Sequence, residues 1–453
     1  MKKFNFKQVT EYLDDCLVFG IKPDLARIKK ILEITGEPQK KCDFIHVVGT
    51  NGKTSTTIMT ANILKGHGLR CGYHISPHIN YYTERIWIDG SDISRQDFED
   101  IFNFIYPYIE KINSFNLGGP MTQFEIIAAM AFTAAADKKL DVMVLEAGMG
   151  GRWDATNAAD SRVAGLTGVS LEHTSILGKT IGKIAAEKVE VIKKGATVAT
   201  LSRDKKVLEV LQNKTVSTGS KLYLYGKDFC IINKIRDCFK GWSTDIKGTA
   251  ATYRDIVIPL TGNYQPFNLA LSVVLSELYL STLGRSVDGN LLKESLKDLK
   301  ISGRFQFIKK APPVIADASH NPEGIRNFVK NIMECFNDCR KIVIFSVLKD
   351  KDYKKMISLI LKISDILILT SSNTERSLSP GELECELKKT IELKKQVEGG
   401  NEKNKKGAYA VDIDRTRNKI EETDKNKKNN LSCSKKSLPL KEVYKIDNIT
   451  NSL

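Results

Sequence analysis

His46-Val47-Val48-Gly49-Thr50-Asn51-Gly52-Lys53-Thr54-Ser55-Thr56 joins an apolar strand to a glycine-bracketed lysine and a run of hydroxyls. Glycines let the backbone approach an anion closely, consecutive N–H groups point into the turn, and the N-terminus of the following helix adds a favourable dipole. The stretch reads as a phosphate cradle in which Lys53 reaches the terminal phosphates of a nucleotide and Thr54 or Ser55 contacts a phosphate-bound Mg²⁺. The common form of such a loop is G-x-x-x-x-G-K-[ST]; Val47 stands at its first glycine, so the form here is the shorter G-x-x-G-K-[ST]. Context supplies the rest. Asp43 to Val48 reads as a buried strand and Thr54 to Lys65 as a helix closed by Gly66 and Gly68, the order a phosphate loop requires. The competing reading is a plain glycine turn in a βα unit.

Outward from the loop, strand-like runs alternate with helix-length amphipathic segments from Asp43 to about Ala199, which implies a parallel α/β sheet. Phe44 to Val48, Cys71 to Ile75, Val142 to Glu146, Val163 to Val169 and Thr197 to Leu201 are the expected strands. Between Lys221 and Leu260 the pattern is short and alternating, as in Lys221-Leu222-Tyr223-Leu224-Tyr225, and reads as a small antiparallel annex. A helix from Phe267 to about Leu283 follows. Ser286 to Gly303 is the expected junction, giving domains over residues 1–297 and 298–453. Beyond it, βα alternation restarts with Val314 to Ala316, a helix from Pro322, Ile342 to Val347, a helix from Tyr353, and Ile366 to Thr370, as in a smaller Rossmann-like α/β domain. From Lys394 to Ser437 periodicity gives way to Lys, Asn and Glu, the composition of an extended or disordered segment.

A chain of 453 residues exceeds what one hydrophobic core organises, and 42% hydrophobic content is enough for two. No apolar run approaches the ~18 residues that span a bilayer, and Met1-Lys2-Lys3-Phe4-Asn5 leads into a mixed helix instead of a signal sequence, so a cytoplasmic protein without a membrane partner is expected. The net charge of +15 raises nucleic acid as a partner. Much of the excess lies in runs such as Lys425-Asn426-Lys427-Lys428, where a solvated segment is the simpler reading, and a positive field also draws in small polyanions.

Four further places carry chemistry. Val142 to Glu146 delivers one carboxylate to the C-terminal end of a buried strand, ahead of Gly148, Gly150 and Gly151, the edge where open α/β sheets bind ligands. Glu146 is thus a candidate Mg²⁺ ligand, a hard oxygen for a hard cation, or else a capping carboxylate. His173 in Ser170-Leu171-Glu172-His173, and His78 in Ser76-Pro77-His78, stand after neighbouring strands and read equally as ligands or as satisfied loop histidines. Asp317-Ala318-Ser319-His320-Asn321-Pro322 repeats the strand, polar turn and helix start, with Asn321 readable as an N-cap.

Together these residues resemble the folylpolyglutamate synthase and dihydrofolate synthase family of the Mur ligase superfamily, over about Phe19 to Leu378. The matching elements are Phe19 to Pro23 with Arg27-Ile28, Gly49 to Lys53, Ser76 to His78, Glu84-Arg85-Ile86, Phe124-Glu125, Glu146 to Arg152 with Asp154 to Asn157, Glu187-Lys188, Gln265 with Asn268, Gly303 to Phe305, and Asp317 to Pro322. The resemblance implies an ADP-forming ligase that adds L-glutamate to dihydropteroate, to reduced folates, or to both, through an acyl phosphate. A carboxylate is a poor electrophile until phosphorylated, and catalysis is then mostly positioning and charge neutralisation.

By position, the resemblance gives Gly49, Thr50, Asn51, Gly52, Lys53 and Thr54 to the ATP phosphates and Ser76, Glu146 and His173 to Mg²⁺, with two ions expected. Lys188 matches a lysine carried as a carbamate. Asn268, Arg304 and Asp317 match nucleotide contacts, the last two reaching from the second domain, and His320 stands near the acyl phosphate or the incoming glutamate. Asp24, Leu25, Ala26 and Arg27, then Thr122, Gln123, Phe124 and Glu125, then Trp153, Asp154 and Ala155 match the pterin-binding segments. Catalytic roles fall to Lys53, Lys188 and His320, in a protein expected to act as a monomer.

Tyr264 and Thr83 replace residues common in the family, a histidine and an asparagine. Glu442-Val443-Tyr444-Lys445-Ile446 resembles a late family strand, which makes the Lys/Asn stretch an insertion; a last helix and strand would be expected after Leu453. Two other readings remain at this point. One is a Mur-type ligase of cell-wall precursors, which normally carries a separate nucleotide-sugar domain ahead of the loop, where only about forty residues stand here. The other is an inactive ATP-binding protein whose basic tail docks on nucleic acid with a steep salt dependence.

Overall fold

The computed structural model describes residues 3–20, 22–115, 117–398, 410–411 and 442–446. They form two compact units, Met1–Ala316 and Asp317–Leu453.

In the first unit, α1 (Phe6–Asp15) and α2 (Ala26–Ile34) precede β1 (Asp43–Val48), α3 (Lys53–Gly66) and β2 (Cys71–His74). Then come β3 (Ile86–Ile88), β4 (Ser91–Asp92), α4 (Arg95–Ser114), α5 (Gln123–Asp137), β5 (Val142–Glu146), β6 (Val163–Leu166), the short α6 (Thr174–Leu177), α7 (Ile181–Lys188), β7 (Thr197–Thr200), α8 (Lys205–Thr218) and β8 (Lys221–Leu224). They build a sheet of order β4-β3-β2-β5-β1-β6-β7-β8, parallel from β2 to β8. Only β3 and β4 run antiparallel, at one edge.

Period-two burial sorts the central strands between two cores. Ile45 and Val47 of β1 pack with α3, while Phe44, Met143 and Leu145 face α4 and α5. The chain leaves β1 toward β2 on one side and later crosses from β5 to β6 on the other, so the strand order reverses at the C-terminal end of β1, where a crevice forms in such sheets.

The expected strands are present within a residue or three of their bounds, with one reassignment. Lys221–Leu224 does not belong to the antiparallel annex: it pairs parallel with β7, Thr197 against Lys221, after the crossover helix α8. Its half-buried edge position gives it the alternation of an antiparallel strand. The annex is the three-stranded sheet β9 (Cys230–Asp237), β10 (Gly241–Lys247) and β11 (Thr252–Ile258), followed by α9 (Gln265–Thr282) and α10 (Gly289–Leu296). Helix α9 is buried nearly throughout and lies against α3.

The unit ends with the hairpin β12 (Gln306–Lys310) and β13 (Pro313–Ala316). Val314 to Ala316, expected to open the second domain, pairs in this hairpin, and the division into compact units falls after Ala316. The cause is local: the Thr261 hydroxyl donates to the Phe305 carbonyl at 3.1 Å, and the Phe239 and Phe307 rings lie 5.4 Å apart, so the hairpin packs with the annex.

The second unit holds α11 (Pro322–Cys335), β14 (Ile342–Phe345), α12 (Tyr353–Ile360), β15 (Ile366–Thr370), α13 (Pro380–Glu398), β16 (Ala410–Val411) and β17 (Glu442–Ile446). Its sheet, β14-β15-β17-β16, is parallel, as the Rossmann-like expectation requires. Most of the Lys394 to Ser437 stretch lies outside the described residues. Among those described, no helix is long and apolar enough to cross a membrane.

Candidate active site

Loop Gly49–Gly52 turns from β1 into α3 under tight constraint. Gly49 has φ +152 and Gly52 φ +90; a Cβ would meet Thr167 Oγ1 at 2.0 Å in the first case and Asn268 Oδ1 at 2.5 Å in the second. Side chains at these positions would be both crowded and strained. The Thr50 amide donates to the Gly168 carbonyl at 2.8 Å and the Thr167 hydroxyl to the Asn51 carbonyl at 2.7 Å, so the loop after β6 braces the phosphate loop. Lys53 curls back over it, its Nζ 3.1 Å from the carbonyls of both Gly49 and Thr50.

Glu146, at the end of β5, is buried beside this loop. Its Oε1 accepts from the Thr54 hydroxyl at 2.9 Å and its Oε2 from the Ser76 amide at 3.2 Å. Arg304 donates to the same Thr54 oxygen at 3.1 Å. Arg304 lies within the first compact unit. Burial raises the Glu146 pKa, and Lys53, Arg304, Thr54 and Ser76 all act against that rise. Asn268 is held by Gln265 at 3.2 Å on α9, which brings it to Gly52.

Lys188, the last residue of α7, is 1% exposed and donates to the Gly49 carbonyl and to Glu172 Oε1, both at 2.8 Å. Burial lowers its pKa to about 8: desolvation and the Lys53 charge outweigh the attraction of Glu172. Burial acts to raise Glu172, but Lys188 and Lys53 pull it down to about 2. His173 follows at φ +45 and caps α6. Glu172 is the residue that sequence reading quoted without assigning; its only sequence signal is its place beside His173 at a strand end.

The segments expected at the pterin divide by burial. Arg27 and Glu125 form a buried pair, Nε to the two carboxylate oxygens at 3.0 and 3.1 Å, and Arg27 also donates to the Leu117 carbonyl at 2.9 Å. Glu125 accepts from the Thr122 amide and hydroxyl at 2.8 and 2.9 Å, a capping box that starts α5. Gln123 donates to the Leu13 carbonyl and to the Tyr82 hydroxyl. Asp24 accepts from the Ala26 amide at the start of α2, beside half-buried Leu25 and Ala26. Asp154 is buried and accepts from Met149 N and Thr156 N, with Ala155 buried after it. Trp153 is 49% exposed and Phe124 half-buried with its ring against Gly148, while Thr122, Gln123, Glu125, Asp154 and Ala155 beside them are buried. His78 accepts from Arg85 Nε at 2.9 Å and is lowered to about 4, by burial first and then by Arg85, which makes it a neutral loop partner.

In the second unit Asp317 Oδ1 accepts from the Ser319 amide at 2.9 Å, exposed His320 shares a bond with the Ala318 carbonyl, and Asn321 caps α11 ahead of Pro322.

The Mur ligase middle domain model matches residues 47–276 and the Mur ligase glutamate ligase domain model residues 303–417. The dihydrofolate synthase/folylpolyglutamate synthase of Mycobacterium tuberculosis is 33% identical over 371 residues, covering 79% of this chain and 76% of that protein. This chain belongs to the dihydrofolate synthase/folylpolyglutamate synthase family.

The Bacillus subtilis member is 32% identical over 353 residues, covering 78% of this chain and 82% of that protein. The solved Mycobacterium tuberculosis folylpolyglutamate synthase complexed with ADP superposes with a TM-score of 0.80 at 32% identity, over 85% of this chain and 86% of that one. Within this chain the short loop takes its shape from Thr167 and Asn268, which crowd Gly49 and Gly52, and from Lys188, held by Glu172 against the Gly49 carbonyl.

Proposed function

We propose that this family member is an ADP-forming ligase joining L-glutamate to the carboxylate of dihydropteroate or a reduced folate. The observation that carries the reading is the loop Gly49–Gly52, crowded by Thr167 and Asn268 into an anion cradle, with Lys53, Arg304 and Lys188 converging on it beside buried Glu146. A solved FPGS complex with AMPPCP and folate, 28% identical at a TM-score of 0.77, holds both ligand classes together.

The acceptor carboxylate attacks the terminal phosphorus of ATP, its P–O bond to ADP breaks, and an acyl phosphate forms. The glutamate amine then attacks the acyl carbon, loses a proton and expels phosphate. Loop amides and Lys53 hold the phosphates and offset the charge that builds on the transferred oxygens. Trp153 and Phe124 offer flat apolar faces suited to a pterin ring. Asp317 and His320 keep the nucleotide and glutamate roles that the family resemblance gives them. We place the enzyme in the cytoplasm, as a monomer.

A metal fits the donor set. Among the described residues no three His, Cys, Asp or Glu side chains gather into a metal-holding group. One buried carboxylate with the Thr54 hydroxyl beside it is instead what a Mg²⁺ ion sharing its shell with phosphate oxygens requires. Glu146, Thr54 and Ser76 would hold it, with His173 assigned on resemblance; bound there, Mg²⁺ neutralises phosphate charge and orients the terminal phosphoryl group. Lys188, its amine partly neutral near pH 8, would take up CO₂ with loss of a proton to become a carbamate, an added anion for a second ion.

The test supplies ATP, Mg²⁺ and glutamate with dihydropteroate, tetrahydrofolate or a muramoyl nucleotide, and reads phosphate release and product mass. Pterin-dependent ADP formation is expected. Turnover with the muramoyl acceptor alone, or with none, overturns the assignment. In Lys53→Ala turnover should fall by about 10²-fold or more, and a near-normal rate would remove the loop from the ATP site.

A further inference from the structure

We propose that His46 is a positioning residue for ligation, acting through Thr156 and Asp154 to fix the turn between Glu146 and Trp153. His46 on β1 and His74 on β2 both pair with Leu145 of β5, so all three side chains lie on one face of the sheet, beneath the start of α5. His46 is fully buried, and its Nε2 lies 2.8 Å from Thr156 Oγ1. The Thr156 hydroxyl in turn donates to Asp154 Oδ1 at 2.5 Å.

The direction of the chain follows from donor counting. Asp154 also accepts from Thr156 N at 3.0 Å and Met149 N at 2.8 Å; burial raises its pKa and these donors act against the rise, so its two oxygens are placed as acceptors. Thr156 has one hydroxyl proton, and it goes to Asp154. The Thr156 oxygen must therefore accept from the imidazole, which assigns the ring proton to Nε2. Among the described residues Nδ1 has no hydrogen-bond partner. Burial, with Lys193 and His74 nearby, holds His46 near a pKa of about 3, so it stays a neutral donor over the working range.

The far end of the chain is the Met149 amide, on the turn that follows Glu146. That turn has little freedom elsewhere. A Cβ on Gly148 would meet the Phe124 ring at 2.7 Å, and one on Gly151 the carbonyls of Lys188 and Glu187 at 2.6 and 2.7 Å. Asp154 is the polar post beneath a turn held between Phe124 and the end of α7, and His46 sets that post from inside the core. An apolar residue would fill the same buried site without stranding a ring nitrogen at a cost of about 1–3 kcal/mol.

The inference rests on the ligase reading above, and the experiment separates the two. Steady-state ligation is measured with acceptor and ATP varied separately, alongside ADP binding and thermal unfolding, for His46→Leu, His46→Gln, Thr156→Val and Thr156→Ser. Leu and Val remove the link, whereas Gln and Ser keep a donor at its place. For Leu and Val, kcat/KM for the acceptor should fall about 10–100-fold, with ATP KM and ADP binding within about twofold, and Gln and Ser should restore most of the loss. Unchanged acceptor kinetics in folded variants, equal losses for ATP and acceptor, or no advantage of Gln over Leu overturns the positioning role. A parent enzyme with no pterin-dependent turnover overturns the ligase reading instead.

Discussion

At the residue scale, the Lys188–Glu172 pair shows how one contact couples the phosphate loop to pH. Glu172 binds its proton more weakly in the folded state, about 2 against an ordinary 4.5, because Lys188 and Lys53 outweigh the effect of burial. Its contribution to stability is therefore complete above about pH 5 and is lost as pH falls toward 2. Lys188 also binds its proton more weakly when folded, about 8 against 10.5, because burial penalises the charge. That penalty is present below pH 8 and is relieved as pH rises toward 10.5. Glu172→Gln should flatten the acid limb of a denaturant-midpoint profile between pH 5 and the lowest pH at which unfolding stays reversible. An acid limb as steep as the parent's would show that the pair contributes nothing there. The Arg27–Glu125 pair behaves differently because both partners are sealed in the core: Arg27→Met strands a carboxylate and should cost about 3–5 kcal/mol, read from the same midpoints.

At the scale of elements, helix α5 shows what the sequence could and could not reveal. Thr122 and Glu125 are spaced as a capping box ahead of an apolar run, yet they entered the reading as pterin contacts because the resemblance covers the same residues. The structure has them close the helix start, so Thr122→Ala should cost about 1 kcal/mol of stability, with no change in m-value. Strand β1, α3 and β5 were legible because a buried strand reads as a continuous apolar run and the glycines mark the turn. Strands β3 and β4, of three residues and two, are too short for any period to register. Strand β8 was misplaced because half-burial at an edge mimics an antiparallel pattern. The residues proposed for the phosphate site, Lys53, Thr54 and Glu146, could be read from local motifs. Thr167 and Glu172 could not, since their partners Asn51 and Lys188 lie 116 and 16 residues away and no periodicity links them.

At the scale of the whole molecule, two units with separate compact folds unfold as one transition or two according to how strongly they are coupled, and nucleotide offers a way to mark the one that binds it. The cradle Gly49–Gly52, Lys53, Asn268 and Arg304 all belong to Met1–Ala316. A ligand that binds only the native state stabilises it by about 2.7 kcal/mol at a hundred times its Kd. For a unit of this size that is a rise of about 4 °C. Calorimetry of the full chain with the non-hydrolysable analogue AMPPCP and Mg²⁺ should therefore raise the transition of the first unit, and Lys53→Ala should abolish the rise, because its Nζ lies on the carbonyls of the loop itself. If two transitions resolve and only the one that a Thr122→Ala substitution lowers moves with nucleotide, the first unit carries the ATP affinity. A shift confined to the other transition, or one that persists in Lys53→Ala, would place the nucleotide elsewhere and remove the cradle as its site.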